Sequence, residues 1–151
     1  MKSLYWMFAV AALAFTPPAY AGVNDPPIII YRASGVLDTD QGEATAIFCT
    51  NFSAATEKLT VAIRGPTSTV LKSVSVDIPT FNTVILTTRD TQFLNETTNM
   101  ATGVVHAGTA GIAATSVNFT CTVMLVQTFT SVPIIAPLHV TRFSPIPGTT
   151  E

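Results

Sequence analysis

Three carboxylates, Asp38, Asp40 and Glu43, share the short run Asp-x-Asp-x-Gly-Glu. Alternating carboxylates can present oxygens to calcium, but the glycine and distal bidentate glutamate of an EF-hand loop are not where that geometry requires them. The group reads as an acidic turn, and nothing around it marks the cleft that a glycosidase pair would need. His106 and His139 are the chain's two histidines. A zinc site built on them would have to draw further ligands from distant carboxylates, so a hydrogen-bonded structural role is expected of each. No serine stands in a Gly-x-Ser-x-Gly elbow. Cys49 and Cys121, the only two cysteines, are expected to be joined in a disulfide and so lost as nucleophiles. No catalytic residue, metal ligand or cofactor is assigned. Asn51-Phe52-Ser53, Asn95-Glu96-Thr97 and Asn118-Phe119-Thr120 match the N-glycosylation pattern, which has meaning only in a eukaryotic secretory route.

The cysteines also locate the core. Between Ser116 and Val126, the apolar residues Val117, Phe119, Cys121, Val123 and Leu125 alternate with Asn118, Thr120, Thr122 and Met124. That period of two predicts a central strand with one apolar face. Cys49 falls in a similar run from Ala44 to Asn51. The two strands are expected to face each other across the core, with the disulfide between them.

The chain begins with Met1-Lys2-Ser3, an apolar run from Leu4 to Phe15, and Ala19-Tyr20-Ala21, with small residues at the −3 and −1 positions of a cleavage site. This is the pattern of a secretory signal peptide over residues 1–21. The apolar run is short of the roughly 20 residues a membrane helix needs, and no other stretch reaches that length, so no membrane span is expected. No cysteine follows the expected cut, which leaves a lipoprotein anchor unsupported; export to the periplasm or medium is the expectation. Cleavage would leave 130 of the 151 residues, a single domain over residues 22–151. The mature chain would carry six basic and nine acidic side chains, net −3. Six scattered cations make no basic face, so nucleic acid is excluded as a partner. Trp6 leaves with the signal, and the mature chain has no tryptophan with which to stack a sugar.

Short strands separated by turn signals follow one another along the mature chain. Ile28–Arg32 is a first strand, Ser34–Gly42 a polar turn, and Glu43–Thr50 the strand that delivers Cys49. Leu59–Arg64 and Thr69–Ile78 form a hairpin around Gly65-Pro66-Thr67-Ser68. Phe81–Thr88 and Val104–His106 are further strands, Gly108–Gly111 is a turn, and Leu138–Phe143 a last strand with Leu138, Val140 and Arg142 on one face. Arg89–Thr102 has no period and reads as a long surface loop or a single helical turn pinned by a few apolar contacts. Phe93 and Leu94 within it are the candidate contact residues, since binding groups concentrate on loops held by a rigid scaffold; the alternative is that both cover the open end of the core. About seven to eight strands without an amphipathic helix predict an all-β, antiparallel β-sandwich of immunoglobulin-like geometry. The tryptophan between the cysteines and the corner tyrosine of that fold are absent, Phe119 standing at the tyrosine position, so no antibody-type or receptor-type function follows.

Phe48-Cys49-Thr50-Asn51-Phe52-Ser53, Gly108-Thr109-Ala110 with Ile112-Ala113-Ala114-Thr115-Ser116, Cys121-Thr122, Leu138-His139 and Arg142-Phe143-Ser144-Pro145-Ile146-Pro147-Gly148 together resemble a group of small exported bacterial proteins of unknown function. The likeness implies a secreted all-β domain with one disulfide, and no activity or site. Two functions from different classes are expected. One is a monomeric, non-catalytic structural or interaction module with a protein or surface partner. The other is a pilus-type assembly subunit in which a strand such as Ile28–Arg32 completes a neighbour's sheet. A hydrolase is a distant third.

Overall fold

Alternation of β-branched and polar residues dictates strands, and nine form in the computed structural model, which describes residues 23–92, 94–129 and 136–142. They are β1 (Ile28–Asp38), β2 (Glu43–Asn51), β3 (Glu57–Arg64), β4 (Val70–Ile78), β5 (Thr83–Thr87), β6 (Thr98–Asn99), β7 (Val105–Ala114), β8 (Phe119–Gln127) and β9 (Val140–Arg142). The expected signal peptide lies outside the described residues, as do Phe93 and Phe143.

The strands form one hydrogen-bonded sheet in the order β4-β3-β7-β1-β2-β5-β6, with β8 pairing β2 and β9 pairing β1. Pairing is antiparallel except between β5 and the two-residue β6. The long ladders fall into two wings. One holds β4, β3, β7, β1 and β9, and the other holds β8, β2, β5 and β6. Only Asp38 opposite Ala44 joins β1 to β2, so the sheet turns sharply there. The result is a curled half-barrel rather than two separate sheets. All-β architecture and the Cys49–Cys121 disulfide are as expected.

Both wings send every second side chain inward. Leu59, Val61 and Ile63 of β3, Ile112 and Ala114 of β7, Ile47 and Cys49 of β2, Leu86 of β5 and Val123 of β8 share one buried cluster. Tyr31 links the wings by donating its hydroxyl to the Phe119 carbonyl at 2.7 Å, with both residues buried. The corner is held by threonines. Thr45 accepts from the Leu37 amide at 2.9 Å and donates to the Leu37 carbonyl at 3.0 Å, and the Thr88 hydroxyl donates to that same carbonyl at 3.1 Å. Side-chain hydroxyls thus satisfy backbone groups where the ladder between β1 and β2 has a single pair.

Four expectations need correction. Strand β1 does not stop at Arg32: it continues to Asp38 by keeping its pairing with β7 through three register shifts, so the start of the expected polar turn is strand. These bulges absorb the bend that a turn was invoked to make. Gly108–Gly111 is likewise no turn but the middle of β7. A Cβ at Gly108 would come within 2.6 Å of Val105 Cγ1 and 2.9 Å of the Arg64 carbonyl, so close packing asks for glycine there. The strand carrying Cys121 is not central: β8 pairs with β2 on one side, and on the other, among the described residues, meets only the segment 136–138, through the Leu125 amide to the Ala136 carbonyl and the Leu138 amide to the Val123 carbonyl, both 2.9 Å. Finally, Cys49 and Cys121 do not span the core. They are direct register partners in the β2–β8 ladder, with Cα atoms 4.2 Å apart.

Candidate functional site

The outer face of the β9-β1-β7-β3 wing carries a groove with a volume of about 510 Å³, within the usual range for small-molecule sites. Its geometry follows from register. Thr141 of β9 lies opposite Arg32 of β1, Arg32 opposite Gly111 of β7, and Gly111 opposite Ala62 of β3. One row further along, Ser34, Thr109 and Arg64 stand in line. Inward neighbours Ala33 and Ala110 are buried, while Arg32, Ser34, Thr109 and Arg64 are exposed, as alternation requires. His139, exposed, lines the groove from the segment leading into β9.

The Arg64 guanidinium is held in place. Arg64 Nη1 donates to the Ser68 carbonyl at 2.9 Å, and Ser68, in the β3–β4 turn, adopts φ of 65°. Arg32 also has a partner of its own. Within the first row the floor drops at Gly111, where a Cβ would meet no atom within 4 Å. The groove therefore combines planar cationic forks, hydroxyls and one imidazole around a space with no side chain in it. Such groups bind and orient a polar ligand.

The acidic run does not enter this groove. Asp38 is buried at the corner, where Arg89 Nε lies 2.8 Å from its Oδ1 and the Thr102 hydroxyl donates to Oδ2 at 3.0 Å. The Arg89 contact is Coulombic more than directed, since Oδ1 has no aligned donor. Asp40, largely exposed, is 3.6 Å from the same guanidinium, and Glu43 accepts from the Thr39 hydroxyl at 3.1 Å. Burial raises the Asp38 pKa above its ordinary 3.8, the Thr102 hydrogen bond and Arg89 pull it down, and Asp40 pushes it up. An arginine thus occupies the position a cation would take, and the run braces the fold. Among the described residues no three His, Cys, Asp or Glu side chains are grouped to hold a metal ion.

Leu94, offered as a contact residue, is half-buried against Ala44, Ala46 and Val126 in a second small cluster, while Phe93 lies outside the described residues. The loop is pinned by Glu96, which accepts from the Thr91 amide at 2.6 Å and from the Thr91 hydroxyl. His106 is exposed on β7. Asn51, the first acceptor asparagine, is buried, and its Nδ2 donates to the carbonyls of Ala55 and Ile78 at 2.8 and 2.9 Å. The folded chain has no room for a glycan there.

Reading the sequence missed Arg32, Arg64, Thr109, Gly111 and Thr141. The available signal was the Gly111/Ala113 pair at outward positions of a strand flanked by arginine-bearing strands, but treating Gly108–Gly111 as a turn concealed it. Comparison with protein-family models, with curated proteins and with solved structures finds no match for the chain.

Proposed function

We propose that the chain is an exported, non-catalytic interaction module of immunoglobulin-like character, acting in the periplasm or outside the cell, and that its binding surface is the groove over Gly111. The observation carrying this reading is the empty space above that glycine, ringed by Arg32, Arg64, Thr109 and Thr141. The disulfide supports the placement, because such a bond persists in an oxidising compartment. Among the described residues no helix is long and apolar enough to cross a membrane.

Thermal-shift screening of wild type and Gly111→Val against small polar molecules tests the proposal. Stabilisation of wild type that disappears in the variant supports it; equal stabilisation of both would place binding elsewhere. Turnover of any substrate in a hydrolase screen removes the word non-catalytic.

A strand-complementing assembly subunit is the second reading, favoured by the outer edge of β4, which has no partner strand among the described residues. Lys72 counts against it. Lying opposite buried Ile63, it occupies an inward position of that edge, and a charge there discourages edge-to-edge pairing. Self-association of wild-type protein on dilution-series chromatography would revive the assembly reading.

A further inference from the structure

We infer that the end of the domain carrying Phe52 and Phe81 rests on a lipid surface, with both aromatic side chains entering the boundary between headgroups and acyl chains. Neither residue lines the groove over Gly111, so this contact does not depend on what the groove binds.

The backbone at Phe81 is the first argument. The Asn82 amide donates to the Pro79 carbonyl at 3.1 Å, closing a four-residue turn in which Phe81 stands third. Phe81 has φ of 59°, while Thr80 is not among the residues at positive φ. A turn of that pattern suits glycine or asparagine at its third position. A bulky side chain there is strained. Core packing does not offset the strain, because Phe81 is 69% exposed. Strain of this kind gathers where a surface acts on something outside the fold.

The second argument is that hydrogen bonds fix Phe81 and Phe52 as neighbours. The Phe81 amide donates to the Asn51 carbonyl at 2.8 Å, the Asn51 amide to the Asn82 carbonyl at 3.0 Å, and the Phe52 amide to the Asn118 carbonyl at 2.8 Å. The buried Asn51 amide group donates to Ala55, in the loop after β2, and to Ile78, at the end of β4, so one side chain ties both aromatic-bearing connections. Phe52 is 54% exposed, and Ala54 and Pro79 on the same connections are exposed as well. An apolar tip held in this way has little left to order when it meets a surface.

Charge and size select the occupant. Residues 50–56, 79–83 and 115–120, the three turns at this end with their adjoining strand ends, contain no charged side chain. Glu57, the next residue inward, is buried; Lys58 lies 2.8 Å from Asp77; Arg142 Nη2 donates to the Val117 carbonyl at 3.1 Å, at the margin. Asp38, Asp40, Glu43 and Arg89 gather at the opposite end. An uncharged tip enters the bilayer boundary without stripping water from an ion. Without a basic cluster it has no preference for anionic lipid. A protein partner of standard size would need about 20 to 30 residues on each side. These turns offer fewer, since Asn51, Ser53, Thr115, Ser116 and Phe119 are buried. Two apolar side chains suffice for weak, reversible attachment to lipid, which scales with the apolar area buried.

The test is flotation of the mature protein with phosphatidylcholine vesicles at millimolar lipid, with vesicles containing phosphatidylglycerol as the anionic comparison. Wild type should float reversibly, and no more strongly with the anionic vesicles. Burying one phenylalanine side chain shifts an equilibrium roughly tenfold or more, so Phe52→Ser/Phe81→Gly should cut partitioning at least about tenfold. Phe81→Gly alone relieves the positive-φ strain, and should melt no lower than wild type while floating more weakly. Leu71→Ser, at an exposed apolar site near the start of β4 and away from the tip, should float as wild type does. In wild type, a paramagnetic lipid label should broaden the amides of residues 52–55 and 80–82 and spare those of 39–43. Undiminished flotation of the phenylalanine variants, or broadening centred elsewhere, overturns the inference. Flotation with anionic vesicles alone overturns it in favour of an electrostatic contact. Failure of wild type to float overturns it too, and binding of a purified protein that then needs Phe52 and Phe81 would assign the tip to a protein interface.

Discussion

Removing the disulfide by Cys49→Ala/Cys121→Ala should destabilise the protein chiefly through its unfolded state. The bond closes a sequence separation of 72, and the chain-entropy model assigns about 4 kcal/mol to a loop of this length. The folded state should change little. Cys49 and Cys121 are already register partners in a continuous β2–β8 ladder running from Glu43 opposite Gln127 to Asn51 opposite Phe119. That ladder and the Tyr31 bond to Phe119 hold the strands without help from sulfur. The expected loss is a large share of the ~5 to 15 kcal/mol that stabilises a domain. It corresponds to a fall in melting temperature on the order of 15 °C. Urea unfolding of the two proteins measures it, and an uncrosslinked unfolded chain exposes more surface, so the variant's m-value should rise as its midpoint falls. A loss under about 1 kcal/mol with an unchanged m-value would refute the loop-entropy reasoning. Thiol blocking of native protein isolated from an oxidising compartment checks the bond itself: two modified cysteines would falsify the pairing.

Asp38 gives a pH signature whose sign follows from its raised pKa. A carboxyl that holds its proton more tightly when folded contributes stability fully present below 3.8, the ordinary value, and lost as pH rises through the raised folded one. Asp38→Asn should therefore gain on wild type as pH increases from about 3 to 7 in urea melts; the opposite trend would mean that Arg89 outweighs burial. Lys72→Val removes the charge from the inward side of the open β4 edge, and sedimentation should reveal concentration-dependent association that wild type lacks. A variant that remains monomeric denies Lys72 its protective role. Asn51→Ala deletes two donations to carbonyls and the acceptor for the Ser53 amide at 2.8 Å, and chemical denaturation should show a loss of about 2 to 3 kcal/mol.

Where one face of a strand is buried, period two was enough to find it. Leu59, Val61 and Ile63 of β3 and Phe119, Cys121 and Val123 of β8 are buried as their alternation in the sequence requires, and the hairpin at Gly65-Pro66-Thr67-Ser68 joins β3 to β4 as expected. Legibility failed where tertiary pairing overrode local signals. Ser34, Gly35 and Asp38 look like a turn, but pairing with β7 keeps them in β1, with Gly35 at φ of 81° accommodating the irregularity. The Cys49–Cys121 pairing was legible from count and compartment, while its place within one ladder was not, because two alternating strands look alike whether they are neighbours or lie across a core. The acidic run's partner Arg89, 51 positions from Asp38 in sequence, could come only from the fold.

The groove lay beyond local reading for a related reason. Arg32, Arg64, Thr109 and Thr141 come from four strands and share a face only through the β9-β1-β7-β3 pairing. Gly108 and Gly111 separate the demands of folding from those of a surface. They sit three positions apart in one strand and are equivalent as sequence signals, yet a side chain at Gly108 would collide with Val105 and the Arg64 backbone, whereas one at Gly111 would project into open space. Folding accounts for the first glycine. The second keeps a cleft open between two arginines, and Gly111→Val asks whether stability and binding part company at a residue the core does not need.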